Sequence, residues 1–502
     1  MTSLADPAPT RSQQSVEDTD TIIIGSGFSG LGIAALLDDA GLRSFRILES
    51  GNDIGGTWRD NTYPGCACDI PSPLYSFSFD QKPDWSRLFA SQPEILDYLR
   101  DVARRRGLIE RTRFGQTVKR ARWVEDEARW EVTTAEGQHY RCRFLVSAVG
   151  PLHHPSYPQV RGAQTFEGPL FHSATWRHDV DLTGKRVAVI GTGASAIQFV
   201  PAIVDDVAAL TVFQRTPPWI VPKADRPLSG NHQRAARWFR PYRWYVRNRL
   251  FWIHENRAAG FVSDPAAMAQ TAALAGRHLA RQVPDEELRA ALTPDYTIGC
   301  KRLLISSDWY PALSKKHVTV RRGGIQEIRP HTVIGDDGRE VEADVVIYGT
   351  GFDAQNTIRI EILGAGGRTL AEAWDGGNQA YLGTAVAGFP NLFLMVGPNT
   401  GLGHNSQVFM IESQARYIID LLRKIHRRGV RSVAVRPEVQ ESFNEWLDGR
   451  MVGTVWQTGG CRSWYQDPRS GRNTVLWPDT TVSFWRRTRR ARLSDYDLGA
   501  RL

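Results

Sequence analysis

Two short glycine-rich turns constrain this chain more than any other feature. The first reads Thr21-Ile-Ile-Ile-Gly25-Ser-Gly27-Phe-Ser-Gly30-Leu31 and continues as Gly-Ile-Ala-Ala-Leu-Leu. An apolar strand enters a Gly-x-Gly-x-x-Gly turn and an amphipathic helix leaves it. Gly25 permits the tight turn, Gly27 lets the backbone approach a pyrophosphate, and Gly30 lets helix and strand pack closely. The helix N-terminus then offers free N–H groups to phosphate. A second strand, Phe45-Arg-Ile-Leu-Glu49, ends in an acid. Its distance from the turn is close to the roughly 20 residues typical of a ribose-binding carboxylate.

The second turn reads Lys185-Arg-Val-Ala-Val-Ile190-Gly191-Thr-Gly193-Ala-Ser-Ala196-Ile197. Ala196 takes the third position, which tolerates Ala. The next strand, Leu210-Thr-Val-Phe-Gln214, runs into Arg215 where the first turn has an acid. A guanidinium there suits a 2′-phosphate by bidentate pairing, which predicts NADP rather than NAD. Two dinucleotides in one chain suggest that nicotinamide delivers hydride to a flavin, which does the harder chemistry. The first turn is then the FAD turn and the second the NADPH turn.

The bulk properties agree with a multi-domain oxidoreductase. The chain has 502 residues, and one core stops growing near ~250–300. Hydrophobic content of 41% and charged content of 23% are ordinary for a globular protein. The net charge is +8. Part of it lies in Arg486, Arg487, Arg489, Arg490 and Arg492, which read as a solvated basic tail; no nucleic-acid-binding motif accompanies them. Five cysteines make no disulfide framework, and the odd count points to a reducing, cytoplasmic setting. Residues 1–17 are polar, have no apolar stretch and read as a disordered tail. No apolar run reaches the ~18 residues of a membrane span.

Two further segments carry a family resemblance. One is Gly55-Gly56-Thr-Trp58-Arg-Asp-Asn-Thr-Tyr63-Pro64-Gly65-Cys-Ala-Cys-Asp69. The other is Phe166-Glu-Gly168-Pro-Leu-Phe-His172-Ser-Ala-Thr-Trp176-Arg177. Together they resemble the two fingerprints of type I Baeyer–Villiger monooxygenases, within the class B flavoprotein monooxygenases. The first is matched throughout. The second is matched at Phe166, Gly168, His172 and Trp176 and departs at Arg177, where the family has Pro or Asp. Similar landmarks run from Thr21 to about Trp477. They include Phe144 to Gly150, Ala343 to Phe352, and Phe389 to Thr400 followed by Gly403-His404-Asn405-Ser406. The helix after Ser406 is expected to aim its N-terminal dipole at the flavin.

The resemblance implies FAD, NADPH and O2, and oxidation of a ketone or aldehyde to an ester or lactone through a flavin C4a-peroxide, with sulfoxidation as a side activity. It implies that Arg302, in Lys301-Arg302, is the active-site arginine, and that Lys301 serves the 2′-phosphate. Asp69 would lie behind the flavin and orient Arg302; a carboxylate beside a guanidinium stays ionised and holds it in place. Gly56 and Trp58 count among the cofactor-binding residues, and Trp58 and Trp176 read as packing or ring-stacking residues. His172 invites a general-base role, but the plainer reading is a buried histidine that fixes an interdomain linker. Cys66 and Cys68 lack the spacing of a flavin disulfide reductase and read as packing residues. With Cys142, Cys300 and Cys461 scattered, no metal set is visible. Trp464 and Asn473, in a late aromatic loop, are expected to face cofactor or substrate.

The expected fold is α/β, with two Rossmann-like dinucleotide-binding domains and an inserted helical subdomain. The FAD domain would comprise residues 18–150 and 346–502, and the NADP domain residues 151–222 and 301–345. Residues 223–300 would be the helical subdomain, with helices near 270–282 and 285–292. Trp238, Phe239, Trp244, Tyr245, Phe251 and Trp252 make its first part aromatic and Arg-rich. Such a composition suits a substrate-access wall or a membrane-surface patch; burial against the nucleotide domains is the expectation. Competing functions are a class B enzyme that oxygenates N or S, a flavin reductase that inserts no oxygen, and a non-enzymatic NADP sensor. The substrate and the oligomeric state are not readable from these residues.

Overall fold

The computed structural model describes residues 16–499. The expected disordered tail lies outside them except for its last two residues, and Glu17 already opens the first strand. That strand, Glu17–Ile24, is the centre of an eight-stranded sheet. It pairs in parallel with Phe45–Leu48 on one side and His139–Ser147 on the other, with Ile22 opposite both Arg46 and Leu145. Parallel strands are covered on both faces, and Ile22, Ile23 and Ile24 are accordingly all buried.

The helix Phe28–Asp39 lies on this sheet and is buried almost all round from Phe28 to Leu37. The helix Gln407–Arg428 shares its core and covers its other side. Such depth requires Gly30. A Cβ at this position would stand 1.9 Å from the Gly25 carbonyl oxygen, so any side chain would pry the helix off the turn.

The second sheet has five strands, all parallel. In order they are Val318–Arg322, Ala209–Gln214, Arg186–Ile190, Val345–Tyr348 and Leu170–His172. This corrects one boundary. Residue 346, where the chain was expected to return to the first sheet, falls inside a strand paired with both Arg186–Ile190 and Leu170–His172. The return comes later, with Glu361–Leu363 and Leu392–Leu394 joining the first sheet.

Helices occupy most of the expected helical insertion, including Gly230–Trp238, Arg240–Glu255, Pro265–Gln282 and Glu286–Leu292. The expected burial of its aromatic first part is wrong. Phe251 is buried, but Trp238, Phe239, Trp244, Tyr245 and Trp252 face outward. The basic tail is also not a tail. Arg486 and Arg487 sit on the helix Thr481–Thr488, and Arg487 stacks on Trp446 at 3.7 Å. No helix among the described residues is long and apolar enough to cross a membrane.

Gly30→Ala is expected to cost about 1–3 kcal/mol through overpacking, read as a lower midpoint in chemical unfolding together with loss of co-purifying flavin. An unchanged midpoint would mean that the helix does not seat on the turn as described.

Candidate functional site

A continuous cavity of about 1230 Å³ runs between the two sheets, larger than the ~300–1,000 Å³ of an ordinary small-molecule pocket. Gly25, Gly27, Glu49, Gly56, Trp58 and Asp69 line one arm. Gly191, Gly193, Arg215, Lys301 and Arg302 line the other. Gly30 and Ala196 do not line it; they sit behind the turns and let each helix close on its strand. Ala196 is fully buried, and a Cβ on Gly349 would come within 3.2 Å of its methyl.

Glu49 is buried at the end of its strand. It accepts from the Ser26 backbone N–H at 2.9 Å, the Ser26 hydroxyl at 2.6 Å and the Gly51 N–H at 2.8 Å, and pairs with Arg59 at 2.8 Å. Burial alone would raise its carboxyl; these bonds and the Arg59 charge hold it below the usual carboxylate range. Arg59 also pairs with Asp60 at 2.7 Å. Nothing in the sequence pattern singled out Arg59, because its role depends on a contact ten positions away across a turn. Both glycine turns present the bare backbone that a pyrophosphate needs, so the residues fit two dinucleotides.

On the second arm, Arg215 and Lys301 lie near each other and neither makes an ion pair among the described residues. Burial lowers the Lys301 ammonium, and the Arg215 charge lowers it further. Two cations, neither held in an ion pair among the described residues, at one end of a cavity suit a dianionic phosphate. Lys301 also rests over the Tyr296 ring at 5.0 Å.

Between the arms stands the pair Asp69 and Arg302, hydrogen-bonded to each other and half-exposed to the cavity. Burial would raise the Asp69 carboxyl; the Arg302 guanidinium outweighs it and keeps Asp69 low. Asp69 in turn raises the guanidinium further above its ordinary value. Both shifts favour the charged forms of the pair, which lines the cavity that the two glycine turns share.

The first fingerprint reaches Asp69 by clamping onto the second domain. Gln198, on the helix Ala196–Ile203, accepts from the Tyr63 hydroxyl at 3.0 Å and the Ala67 N–H at 3.3 Å, and donates to the Ala67 carbonyl at 2.9 Å. Gly65 makes that approach possible. Its φ is +77°, and a Cβ there would stand 2.6 Å from the Gln198 carbonyl oxygen. Trp58 donates to the Tyr75 hydroxyl at 3.2 Å and packs edge-on against its ring.

The second fingerprint lies outside the cavity. Phe166 packs against the core beneath the second sheet. Gly168 passes so close to Asp344 that a Cβ would meet its carbonyl oxygen at 2.2 Å. Trp176 packs on Phe171 and Phe199 at 5.3 and 5.4 Å. His172 is fully buried; its Nδ1 accepts from the Ala174 N–H at 3.0 Å, and burial lowers it to about 4. A neutral imidazole away from the cavity is no general base. Arg177 pairs with Asp179 on the surface.

The cysteines need a correction. Cys300 and Cys461, read as scattered, form a disulfide with a Cα–Cα distance of 6.2 Å. The cysteine argument for a reducing, cytoplasmic setting falls with it. The bridge ties the loop before Trp464 to the residue just before Lys301-Arg302. A sequence separation of 161 hid it, since spacing says nothing about such a pair. Cys66, Cys68 and Cys142 are free and buried. Burial raises the Cys66 thiol to about 11 and pushes Cys68 higher still, so neither is a redox thiolate. Among the described residues no group of His, Cys, Asp or Glu is arranged to hold a metal ion.

The bridged loop brings Trp464 to the cavity and buries Tyr465 against it. Asn473 does not line the cavity. Its side-chain oxygen accepts from the Val475 and Leu476 N–H groups at 3.2 and 3.0 Å, and its carbonyl accepts from Asn399 at 2.8 Å. It shapes the loop instead. The helix Gln407–Arg428 begins at the cavity, with the Ser406 hydroxyl capping the Val408 N–H at 3.3 Å.

Cys461→Ser is expected to leave flavin loading intact while limited proteolysis cuts the loop around Trp464 several-fold faster. A non-reducing peptide map of the unaltered protein should contain one Cys300–Cys461 linked peptide; two separate free-thiol peptides would remove the bridge.

The model of a family described as pyridine nucleotide-disulphide oxidoreductase matches residues 22–229. A Pseudomonas aeruginosa protein named Baeyer-Villiger monooxygenase is 48% identical over 477 residues, which cover 95% of this chain and 90% of the relative. A Streptomyces coelicolor protein of the same name is 47% identical over 489 residues, 97% of this chain and 94% of the relative. A solved cyclohexanone monooxygenase from Rhodococcus sp. Phi1, bound to NADP+, superposes with a TM-score of 0.86 at 30% identity, covering 97% of this chain and 100% of that one. The chain belongs to the Baeyer–Villiger monooxygenases, a family of FAD- and NADPH-dependent flavoproteins.

Proposed function

We propose that this chain uses NADPH and O2 to convert a ketone or aldehyde to an ester or lactone, releasing NADP+ and water. The observation that carries the reading is the charged pair Asp69–Arg302, which faces one cavity shared by both dinucleotide turns. FAD, when bound and reduced by NADPH, supplies the oxygen-activating chemistry. The protein's contribution is positioning and electrostatics.

Arg302 is the residue for the charge that develops on oxygen. A guanidinium held by Asp69 needs no reorganisation when that charge appears, and it acts in a cavity of low dielectric. Asp69 remains a carboxylate because its folded pKa is depressed. The pair is intact above the ordinary carboxyl value and is lost only as pH falls through the lower, folded one. Arg215 and Lys301 hold the 2′-phosphate, and Glu49 takes the ribose of the flavin nucleotide. Trp464 and Tyr465 close one wall against water.

The test is a panel of cyclic and linear ketones with FAD-loaded enzyme, NADPH and isotopically labelled dioxygen. One labelled oxygen in an ester or lactone is the expected product. Labelled sulfoxide or N-oxide from heteroatom substrates, with no ester from any ketone, would overturn the reading. Arg302→Ala should reduce flavin at the normal rate while ester formation falls by about 100-fold or more, the cost of losing an oxyanion donor. Full ester formation would assign the role to another residue. Arg215→Ala should raise the KM for NADPH about 10- to 100-fold, as loss of a charge-assisted bond implies, and leave NADH unchanged; an equal effect on both would remove its phosphate role.

A further inference from the structure

The outward aromatic face of the helical insertion takes no part in the cavity. On Arg240–Glu255 successive side chains turn by about 100°, so Tyr245, Arg249 and Trp252 share one face, while Trp244 follows Arg240 by one turn along an adjacent row. Trp244 is 65% exposed, Tyr245 57% and Trp252 52%. The preceding corner adds Trp238 at 82% and Phe239 at 60%. Soluble chains seldom leave so much contiguous aromatic surface uncovered.

The seated row of the same helix, Arg247, Phe251 and Glu255, shows that it is not loosely packed. Arg247 is buried and donates to the carbonyls of Pro73, Leu74 and Ser76 at 2.9, 3.2 and 2.8 Å. Phe251 packs on Phe409 at 5.0 Å. Glu255 accepts from Asn405 at 2.8 Å and from the Val482 N–H at 2.9 Å. The helix is seated through this row from Arg247 onward; Tyr245 and Trp252 lie off it, and Trp244, in line with it, stands exposed one turn before the seat begins.

Charge identifies the occupant. Arg240 and Arg249 are exposed and make no ion pair among the described residues. Glu255 is the only acid in residues 229–257, and it is buried. Tryptophan and tyrosine interleaved with arginine, with no exposed acid, suit the headgroup layer of an anionic bilayer: rings settle at the apolar boundary and guanidinium groups reach phosphates. A second copy across a two-fold axis would set these arginines against themselves. We propose that the face built by Trp238, Phe239, Trp244, Tyr245 and Trp252 docks this protein peripherally on an anionic phospholipid surface through Arg240 and Arg249. Through Glu255 and Asn405 the same helix braces a cavity-lining segment. The inference concerns binding alone and stands whether or not the ketone reading holds.

The test is co-sedimentation of FAD-loaded enzyme with vesicles of equal parts phosphatidylcholine and phosphatidylglycerol. Binding is expected to be at least about tenfold tighter than to phosphatidylcholine alone, and to weaken in high salt. Trp244→Ala with Trp252→Ala should lower it about tenfold or more at unchanged flavin content. Arg240→Glu with Arg249→Glu should do the same and abolish the preference for anionic lipid. No sedimentation with either vesicle would overturn the proposal. So would a dimer in solution that the tryptophan variant dissociates in the absence of vesicle binding, which would give the face to a second copy.

Discussion

An arginine turned toward an enclosed cavity needs a carboxylate, and here a single one meets the need. Asp69 and Arg302 are separated by 233 positions in sequence and arrive from different parts of the fold. Each steadies the other, because an unpaired charge half withdrawn from water carries a desolvation cost. Much of the surrounding structure can be understood as delivery of these two side chains. The first fingerprint folds tightly against Gln198 and ends at Asp69. The strand pairing Ile220 to Leu304 fixes the segment after Arg302, and the Cys300 bridge fixes the segment before it.

The parts of the molecule written in local pattern were readable from the sequence. The two turns, their strands and the helices behind them depend on residues within about 25 positions of each other, and periodicity plus glycine spacing captures that range. Glu49 and Arg215 were readable for the same reason, since each ends the strand that follows its turn. Arg302 was not readable from pattern alone. It is one arginine among many, and the family resemblance picked it out.

Three of the missed contacts share a cause. The Cys300–Cys461 bridge, the Arg59 bond to Glu49 and the Gln198 clamp all join segments whose proximity is a product of the finished fold. The aromatic helix failed differently. Its period was read correctly as helical, and its composition was taken to mean burial. Composition cannot tell which face of a helix turns inward, and here Arg247 and Phe251 took the interior while the tryptophans did not. The strand Val345–Tyr348 was misplaced because an apolar strand before a glycine turn looks alike in either sheet.

The Gln198 carboxamide has a consequence for the charged pair. All its bonds to the flavin-side domain fall on Tyr63 and Ala67, so a single side chain supplies both the donor and the acceptor of that contact. It lies a few residues from Asp69. Truncating this one amide would release both anchors at once and loosen the very segment whose last residue must meet the guanidinium.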